Sequence, residues 1–204
     1  MKIKTSKGFA LKLMSNMFQE LNHNWLTSTV SWLIDDKYRT YKQLNKYLEE
    51  QVESGRSDGA LLYIANKCKG KDVDETIINV LRYVKNNFTY KSDKINWDKT
   101  EYWAPVLEIL KKKADDCDGL NTMVYVLARL AGVPQYLLYC AIGNVNSGGH
   151  FWCIYLSPKT GYKYAIDATY WYDGSSIYRR QKFRLTQEKY QRIWYVFNEE
   201  WAFK

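Results

Sequence analysis

Three side chains of the sequence have the chemistry of a thiol-dependent acyl-transfer site: Cys117, His150 and Asp167. In such a site a cysteine attacks a carbonyl carbon, a histidine takes the thiol proton, and a carboxylate orients the imidazole. The three residues follow this order along the chain, in the segments A-D-D-C-D-G-L, G-G-H-F-W and A-I-D-A-T-Y. Their types and order therefore predict a catalytic triad, provided that the fold brings the three segments together.

Cys117 stands at the predicted start of an amphipathic helix, where backbone N–H groups and the helix dipole stabilise a thiolate or an oxyanion. The neighbouring carboxylates of Asp115, Asp116 and Asp118 oppose this and raise the thiol pKa. We therefore expect an imidazolium of His150 to keep Cys117 ionised at pH 6. Without this partner, packing would be the simpler interpretation of the cysteine.

The other cysteines and the second histidine are weaker candidates. Cys140 and Cys153 lie in apolar, strand-like segments, which favours inert packing. Cys68 stands in K-C-K-G-K, so we expect an exposed thiol with lysines that lower its pKa but no base beside it. His23 lies between two asparagines, which favours a surface or structural role. The absence of a C-x-x-C pair indicates reduced thiols and neither a zinc knuckle nor a redox motif.

Asp167 ends an otherwise apolar segment, where a carboxylate requires a partner. Residues 150–156 and 162–168 alternate with a period of two, and the turn S-P-K-T-G joins them. An antiparallel hairpin of these strands can place Asp167 beside His150. The alternative is that Asp167 only caps the turn before Ala168.

Helices precede the strands, and one of them must position the nucleophile. Gly132 and Pro134 end the helix that begins near Cys117, and Pro105 is tolerated in the first turn of an earlier helix. Helices followed by a meander of strands indicate an α+β fold. The predicted helices are 74–87, capped by Asp72 or Asp74, 103–113 and 117–131, and the predicted strands are 135–142, 150–156 and 162–168.

The first part of the chain is predicted to be a separate helical arm. Apolar stripes recur at three- and four-residue steps over 11–25 and 44–52. The glycine- and serine-containing segment E-S-G-R-S-D-G follows them. It divides the chain into an N-terminal helical arm of residues 1–58 and a catalytic domain of residues 59–204.

Residues 74–170 resemble the bacterial transglutaminase-like cysteine proteinases and their phage relatives, within the papain-like superfamily. The resemblance rests on R-Y-V-K-N-N-F-T-Y, Y-W-A-P-V-L-E-I-L, D-D-C-D-G-L-N-T-M-V-Y-V-L-A-R-L-A-G-V-P, G-G-H-F-W and A-I-D-A-T-Y, in this order. It implies a transglutaminase-like core in which the nucleophile helix packs on an antiparallel sheet. The roles that it implies are nucleophile for Cys117, base for His150, orienter for Asp167 and supplement to the oxyanion site for Trp103.

Composition narrows the remaining choices. The net charge of +8 favours an acidic partner, but no block of five basic residues occurs, so nucleic acid is not expected as the main ligand. No apolar run approaches the roughly 20 residues of a membrane span, and no signal peptide is evident, which indicates a cytoplasmic protein. The acidic residues around Cys117 lack the spacing of a known calcium loop, and capping and solvation explain them. Neither a metal nor a cofactor is predicted.

The resulting functional prediction is an enzyme that attacks an amide carbonyl of a protein or peptide and forms an acyl-enzyme. Water as acceptor makes it a peptidase or amidase, and an amine makes it a transglutaminase. Hydrolysis is favoured because crosslinking is the rarer activity in this wider group. The alternative is a structural or interaction protein, such as a phage virion component, on the same scaffold. The basic arm, the aromatic-rich tail and the many Lys, Asn and Tyr residues favour that alternative.

Overall fold

The computed structural model describes residues 41–145, 148–170 and 190–203, and its helices precede its main sheet. Two short strands, Thr89–Tyr90 (β1) and Ala114–Asp115 (β2), pair in parallel among the helices. In the described residues the helices are Tyr41–Arg56 (α1), Gly59–Cys68 (α2), Val73–Asn87 (α3), Asp93–Trp97 (α4), Val106–Lys112 (α5) and Cys117–Leu130 (α6). A 3₁₀ turn, Gln135–Leu137, leads to the strands Leu138–Val145 (β3), Gly148–Leu156 (β4), Lys163–Ile166 (β5), Tyr190–Phe197 (β6) and Ala202–Phe203 (β7).

The main sheet has the strand order β5-β4-β3-β6-β7, and all its neighbours are antiparallel. The predicted meander of three strands is confirmed as β3, β4 and β5. Strands β6 and β7 come from the tail, which the sequence patterns left without an assignment. The order confirms an α+β fold, and it places β4, the strand of His150, between β3 and β5.

Helix α6 is the centre of the domain, and its first residue is Cys117, the predicted nucleophile. Every side chain from Asp118 to Ala128 is buried, as expected for a helix that is covered on all sides. Helix α6 contacts β4 on one side, and α1, α2, α3 and α5 on the others. The predicted packing of the nucleophile helix on an antiparallel sheet is therefore confirmed.

Helix α1 belongs to the same hydrophobic core as α6. Its residues Leu44, Tyr47 and Leu48 are fully buried, and the Tyr47 hydroxyl donates a hydrogen bond to the carbonyl oxygen of Ala104 at 3.2 Å. Only two residues separate α1 from α2. A boundary after residue 58 would therefore divide one core. The separate arm of residues 1–58 stays a prediction, and residues 1–40 lie outside the described residues.

Helix α5 begins three residues later than predicted, because of Pro105. A proline disfavours the helical conformation of the residue before it, so the chain enters the helix only at Val106. Pro105 stands before the first helical residue, and its carbonyl oxygen accepts from the Glu108 N–H at 2.9 Å. Trp103 thus lies before the helix, in a segment without regular secondary structure, and its side chain is buried.

No helix within residues 41–145, 148–170 and 190–203 is both long enough and apolar enough to cross a lipid bilayer.

Candidate active site

His150 and Asp167 form a buried pair. The Nε2 atom of His150 lies 2.9 Å from Oδ2 of Asp167, and the two side chains are 3% and 0% exposed. An ionised carboxylate can only accept, so Nε2 carries a proton and donates it in this hydrogen bond. Gly148, with a φ of 126°, leads the chain into β4 in a conformation that favours glycine. The predicted contact across the hairpin is therefore present.

The Asp167 carboxylate has further donors besides His150. Its Oδ2 accepts from the Tyr190 hydroxyl at 2.8 Å, and its Oδ1 accepts from the Thr169 N–H at 2.9 Å. Burial alone would raise the pKa of Asp167, but the nearby charge of His150 and these hydrogen bonds hold it below its ordinary value. Asp167 therefore stays ionised, and it both holds the imidazole and caps its own turn.

Cys117 lies at the start of α6 with its sulfur against β4. Asp116 is the N-cap residue, and its side chain accepts from the N–H of Asp118 at 3.3 Å. The backbone of Phe151, the residue after His150, lies close enough to the Cys117 thiol to lower its pKa. The thiol is partly exposed. The helix start and β4 thus bring Cys117, the predicted nucleophile, to the segment that carries His150, the predicted base.

The surroundings of Cys117 raise the pKa of its thiol. Burial raises the pKa of the Cys117 thiol well above its ordinary value, and the charge of Asp116 raises it further. Asp167 and Glu101 add smaller effects of the same sign, and the Phe151 backbone offsets them only in part. Loss of water and nearby carboxylates thus favour the neutral thiol before reaction, and ionisation of Cys117 at pH 6 stays a prediction.

The position of Asp115 explains why residue 119, two positions after Cys117, is a glycine. A Cβ atom at Gly119 would lie 2.0 Å from Oδ2 of Asp115, so only glycine fits there. Asp115 is fully buried, and Nε1 of Trp97 donates to its Oδ1 at 2.7 Å. Burial raises its pKa to about 7. Asp115 therefore ties α4 to the first turn of α6, and the prediction that it is solvated is wrong.

A group of carboxylates beside Cys117 could hold a cation. Oxygen atoms of Asp93, Glu101 and Asp118 all lie within 4.8 Å of one another. Asp118 is 3% exposed, and its Oδ2 has no hydrogen-bond partner among the described residues. Burial raises the pKa of Asp118 well above its ordinary value, and Asp116 adds to this. Carboxylate oxygens are the ligands that Ca²⁺ prefers, so this group fits a hard cation, and solvation does not explain Asp118.

Trp103 and Tyr90 are two aromatic residues that precede Cys117 in the sequence. Trp103 is 3% exposed, and its ring lies edge-on to that of Phe151, with centroids 5.5 Å apart. Its role in the oxyanion site stays a prediction. Tyr90 is 54% exposed, and its position on β1 is opposite Asp115. Partial burial raises the pKa of Tyr90, and its electrostatic interaction with the Cys117 group acts in the same direction. Tyr90 therefore lies near the nucleophile, although no sequence pattern indicated it.

The sequence patterns also missed Asn121 and Tyr190. Asn121 is fully buried one turn after Cys117, and its amide contacts Asp167 Oδ1 at 3.4 Å. A polar residue four positions after the nucleophile on an otherwise apolar helix was an available signal. Tyr190 had no comparable signal, because it is one of 18 tyrosines and lies far along the chain.

Cys68, Cys140 and Cys153 are all buried in the described structure. Cys68 was predicted to be exposed, but it is 3% exposed at the end of α2, and burial raises its pKa to about 11. The amphipathic stripe of α2 turns this cysteine inward in spite of its lysine neighbours. Cys140 and Cys153 are fully buried opposite each other on β3 and β4, as predicted for packing residues. His23 lies outside the described residues.

Comparisons with known proteins agree with this architecture. The model of the transglutaminase-like domain family matches residues 60–190, and the chain belongs to this family. The UPF0252 protein MJ1282 of Methanocaldococcus jannaschii is 28% identical over 123 residues, which are 56% of this chain and 32% of that protein. The chain therefore spans about a third of the length of this curated relative.

A solved structure shows the same fold at low identity. Legionella pneumophila LapG is 16% identical, with a TM-score of 0.54, over 76% of this chain and 86% of that chain. The calcium-bound structure of LapG matches equally well, and an EGTA-treated structure of the same protein also matches. The transglutaminase-like fold is typical of cysteine proteases and acyltransferases, which makes an enzymatic function the first to consider.

Proposed function

We propose that the chain is a thiol-dependent enzyme that cleaves or transfers the acyl group of an amide in a protein or peptide. Cys117 is the proposed nucleophile, His150 the base and Asp167 its orienter. The observation that carries the proposal is the buried His150–Asp167 pair, with the Cys117 thiol near the backbone of Phe151, the residue after His150. This chemistry requires a histidine that a carboxylate orients, near a thiol at the start of a helix.

The proposed reaction begins from a neutral thiol. Nδ1 of His150 takes the thiol proton as the sulfur of Cys117 forms a bond to the carbonyl carbon, and the carbonyl oxygen becomes an oxyanion. Backbone N–H groups at the start of α6 are suited to stabilise this charge, with Trp103 as a proposed supplement. Asp167 stabilises the imidazolium that forms.

The second half of the reaction restores the enzyme. The imidazolium gives its proton to the leaving nitrogen, the C–N bond breaks, and an acyl-Cys117 thioester remains. Water then attacks the thioester while His150 takes its proton, and the sulfur leaves with that proton. An amine in place of water would give transfer instead. We propose hydrolysis as the main activity.

The first test is the intact mass of the protein after treatment with a peptide-like electrophile that reacts with thiols. We expect one adduct, located at Cys117 by peptide mapping, since this thiol is partly exposed and the other three are buried. His150→Ala should slow the adduct strongly, and Cys117→Ala should abolish it. Cys68→Ala is the matched control, and it should react like the wild type.

Two results would contradict the proposal. One is labelling that is no slower in His150→Ala than in the folded wild type. The other is a folded wild type that forms no adduct and hydrolyses no peptide library, which would favour a structural role on this scaffold.

We also propose that Asp93, Glu101 and Asp118 bind Ca²⁺, and the unpartnered Oδ2 of the buried Asp118 carries this proposal. A cation would stabilise the ionised carboxylates beside the nucleophile. Calcium is the first ion to test because LapG has a calcium-bound structure.

The calcium test compares melting temperatures in millimolar CaCl₂ and in EGTA. Calcium that binds the folded state raises Tm in proportion to the logarithm of its concentration. We expect this shift in the wild type and its loss in Asp118→Asn. Asp98→Asn, at a carboxylate whose side chain is 88% exposed, is the control and should keep the shift. Equal Tm values in CaCl₂ and EGTA for the wild type would contradict calcium binding.

A further inference from the structure

Asn121 lies between the three segments that carry the proposed triad. It is fully buried on α6, one turn after Cys117. Its side chain points toward β4 and the end of β5, where His150 and Asp167 stand. A buried amide is costly unless its donors and its acceptor are all bonded, so its partners define its role.

The amide of Asn121 makes three short hydrogen bonds. Its Nδ2 donates to the carbonyl oxygen of Cys117 at 2.9 Å and to that of Phe151 at 2.8 Å. Its Oδ1 accepts from the N–H of Ala168 at 2.8 Å. Carbonyl oxygens only accept and an N–H only donates, so these partners fix the orientation of the amide.

Each of these partners is a triad residue or its immediate neighbour. Cys117 is the proposed nucleophile, Phe151 follows His150, and Ala168 follows Asp167. In addition, Nδ2 lies 3.4 Å from Oδ1 of Asp167. One side chain thus connects the nucleophile helix, the strand of the base and the turn of the orienter.

We propose that Asn121 is a positioning residue of the triad, which sets the distances of Cys117, His150 and Asp167 from one another. This inference rests on the proposed thiol chemistry for its functional meaning. Displacements of about 1 Å in a catalytic group lower turnover by about a hundredfold, so the loss of this connection should be visible in the reaction.

The side-chain type is specific. An alanine would leave the Ala168 N–H and the Phe151 carbonyl buried without partners. An aspartate of the same size would keep the acceptor for Ala168 but would place a carboxylate against two carbonyl oxygens and Asp167. Neither substitution can hold the three segments as the amide does.

The test compares Asn121→Asp and Asn121→Ser with Thr122→Ala. Thr122 is the next residue of α6, is also fully buried, and accepts from the hydroxyl of Tyr47 on α1 at 3.4 Å. It is therefore a control for general loss of stability in this helix. Serine is included because its small side chain leaves room for a water molecule if aspartate prevents folding.

Two measurements report the positioning itself. One is the low-field NMR signal of the His150 Nε2 proton, which depends on the hydrogen bond to Asp167. The other is the rate of electrophile addition to Cys117 in protein that is folded, as checked by Tm. We expect both Asn121 variants to lose or shift the NMR signal and to react about a hundredfold more slowly. Thr122→Ala should lower Tm but keep both properties.

The outcomes separate this inference from the proposed function. If folded Asn121 variants keep the NMR signal and the rate while Tm falls as in Thr122→Ala, Asn121 only stabilises the fold and the inference is wrong. If the wild type shows the NMR signal but no thiol reaction, and the signal is lost only in the Asn121 variants, the positioning stands and the proposed function fails.

Discussion

The hydroxyl of Tyr190 donates to Oδ2 of Asp167 at 2.8 Å, the same oxygen that accepts from His150. Tyr190 is 5% exposed and its ring lies 5.0 Å from that of Trp152, so the hydroxyl is held in place. This contact connects β6, from the tail of the chain, to the site on β4 and β5. The tail is therefore part of the environment of the proposed triad.

Tyr190→Phe should weaken the fold at neutral pH. A hydrogen bond to a charged group contributes about 1.5–3 kcal/mol, so we expect a loss of this order in the free energy of unfolding. The matched control is Tyr139→Phe, since the Tyr139 hydroxyl donates to a neutral group, the carbonyl oxygen of Tyr136, at 3.3 Å. Urea unfolding at pH 7 measures both. Equal losses in the two variants would show that Tyr190 has no particular relation to the ionised Asp167.

Cys117 and His150 could be selected as candidates because their side-chain types are rare in the sequence, and Asp167 because it ends an apolar segment. Only two histidines and four cysteines were available, and the elements around them have clear periods. Tyr190 could not be found in this way, because its contact with Asp167 depends on the pairing of β6 with β3. That pairing is a long-range property of the sheet and leaves no local pattern.

Local charge was a misleading guide at other positions. Lysines on both sides of Cys68 suggested an exposed thiol, but the cysteine continues the buried stripe of Leu61 and Ile64 on α2. Similarly, the run of acidic residues around Cys117 suggests solvated carboxylates, but Asp115 and Asp118 are both buried. Polar sequence neighbours do not determine exposure where the fold supplies partners for a charge.

Asp167→Asn should separate orientation from stability. The amide keeps the shape of the carboxylate but favours the wrong imidazole tautomer, so turnover should fall by about ten-thousandfold, by analogy with the serine triad. His150→Ala should abolish turnover, and Asp167→Ala should lower both turnover and Tm. Near-normal turnover of Asp167→Asn beside an inactive His150→Ala would make Asp167 only a turn cap. Asp173, outside the described residues, would then be the next candidate.

The same variant should change how stability depends on pH. The pKa of Asp167 is lower in the folded protein than its ordinary value, so this carboxylate stabilises the fold above about pH 4. The contribution is lost as the pH falls through the folded pKa. Between about pH 4 and pH 2 the free energy of unfolding should therefore fall more steeply for the wild type than for Asp167→Asn. Parallel curves from urea unfolding would contradict this.

The contact between Gly119 and Asp115 gives a prediction about paired substitutions. Gly119→Ala should destabilise the fold by about 1–3 kcal/mol, because the new Cβ would lie 2.0 Å from Oδ2 and 2.6 Å from Cβ of Asp115. Adding Asp115→Gly removes both contacts and should restore stability in part. Adding Asp115→Ala keeps the contact between the two Cβ atoms and should not. Double-mutant cycles from urea unfolding measure the coupling, and equal rescue by glycine and alanine would contradict the steric account.

Truncation tests where the domain begins. Removal of residues 1–58 deletes α1, and with it Leu44, Tyr47, Leu48 and Val52, which are all buried in the core. Burial of one such side chain contributes about 1.5–3 kcal/mol, so four of them together are comparable to the whole free energy of unfolding of a typical domain, about 5–15 kcal/mol. We expect residues 59–204 to aggregate or to lack a cooperative thermal transition.

The fragment of residues 41–204 is the matched control, because it keeps all of α1. We expect it to unfold cooperatively, with a Tm close to that of the full chain. Circular dichroism melts and gel filtration of both fragments distinguish the cases. A folded, monomeric 59–204 fragment would support the separable arm that the sequence predicted, and would show that α1 contacts the core without stabilising it.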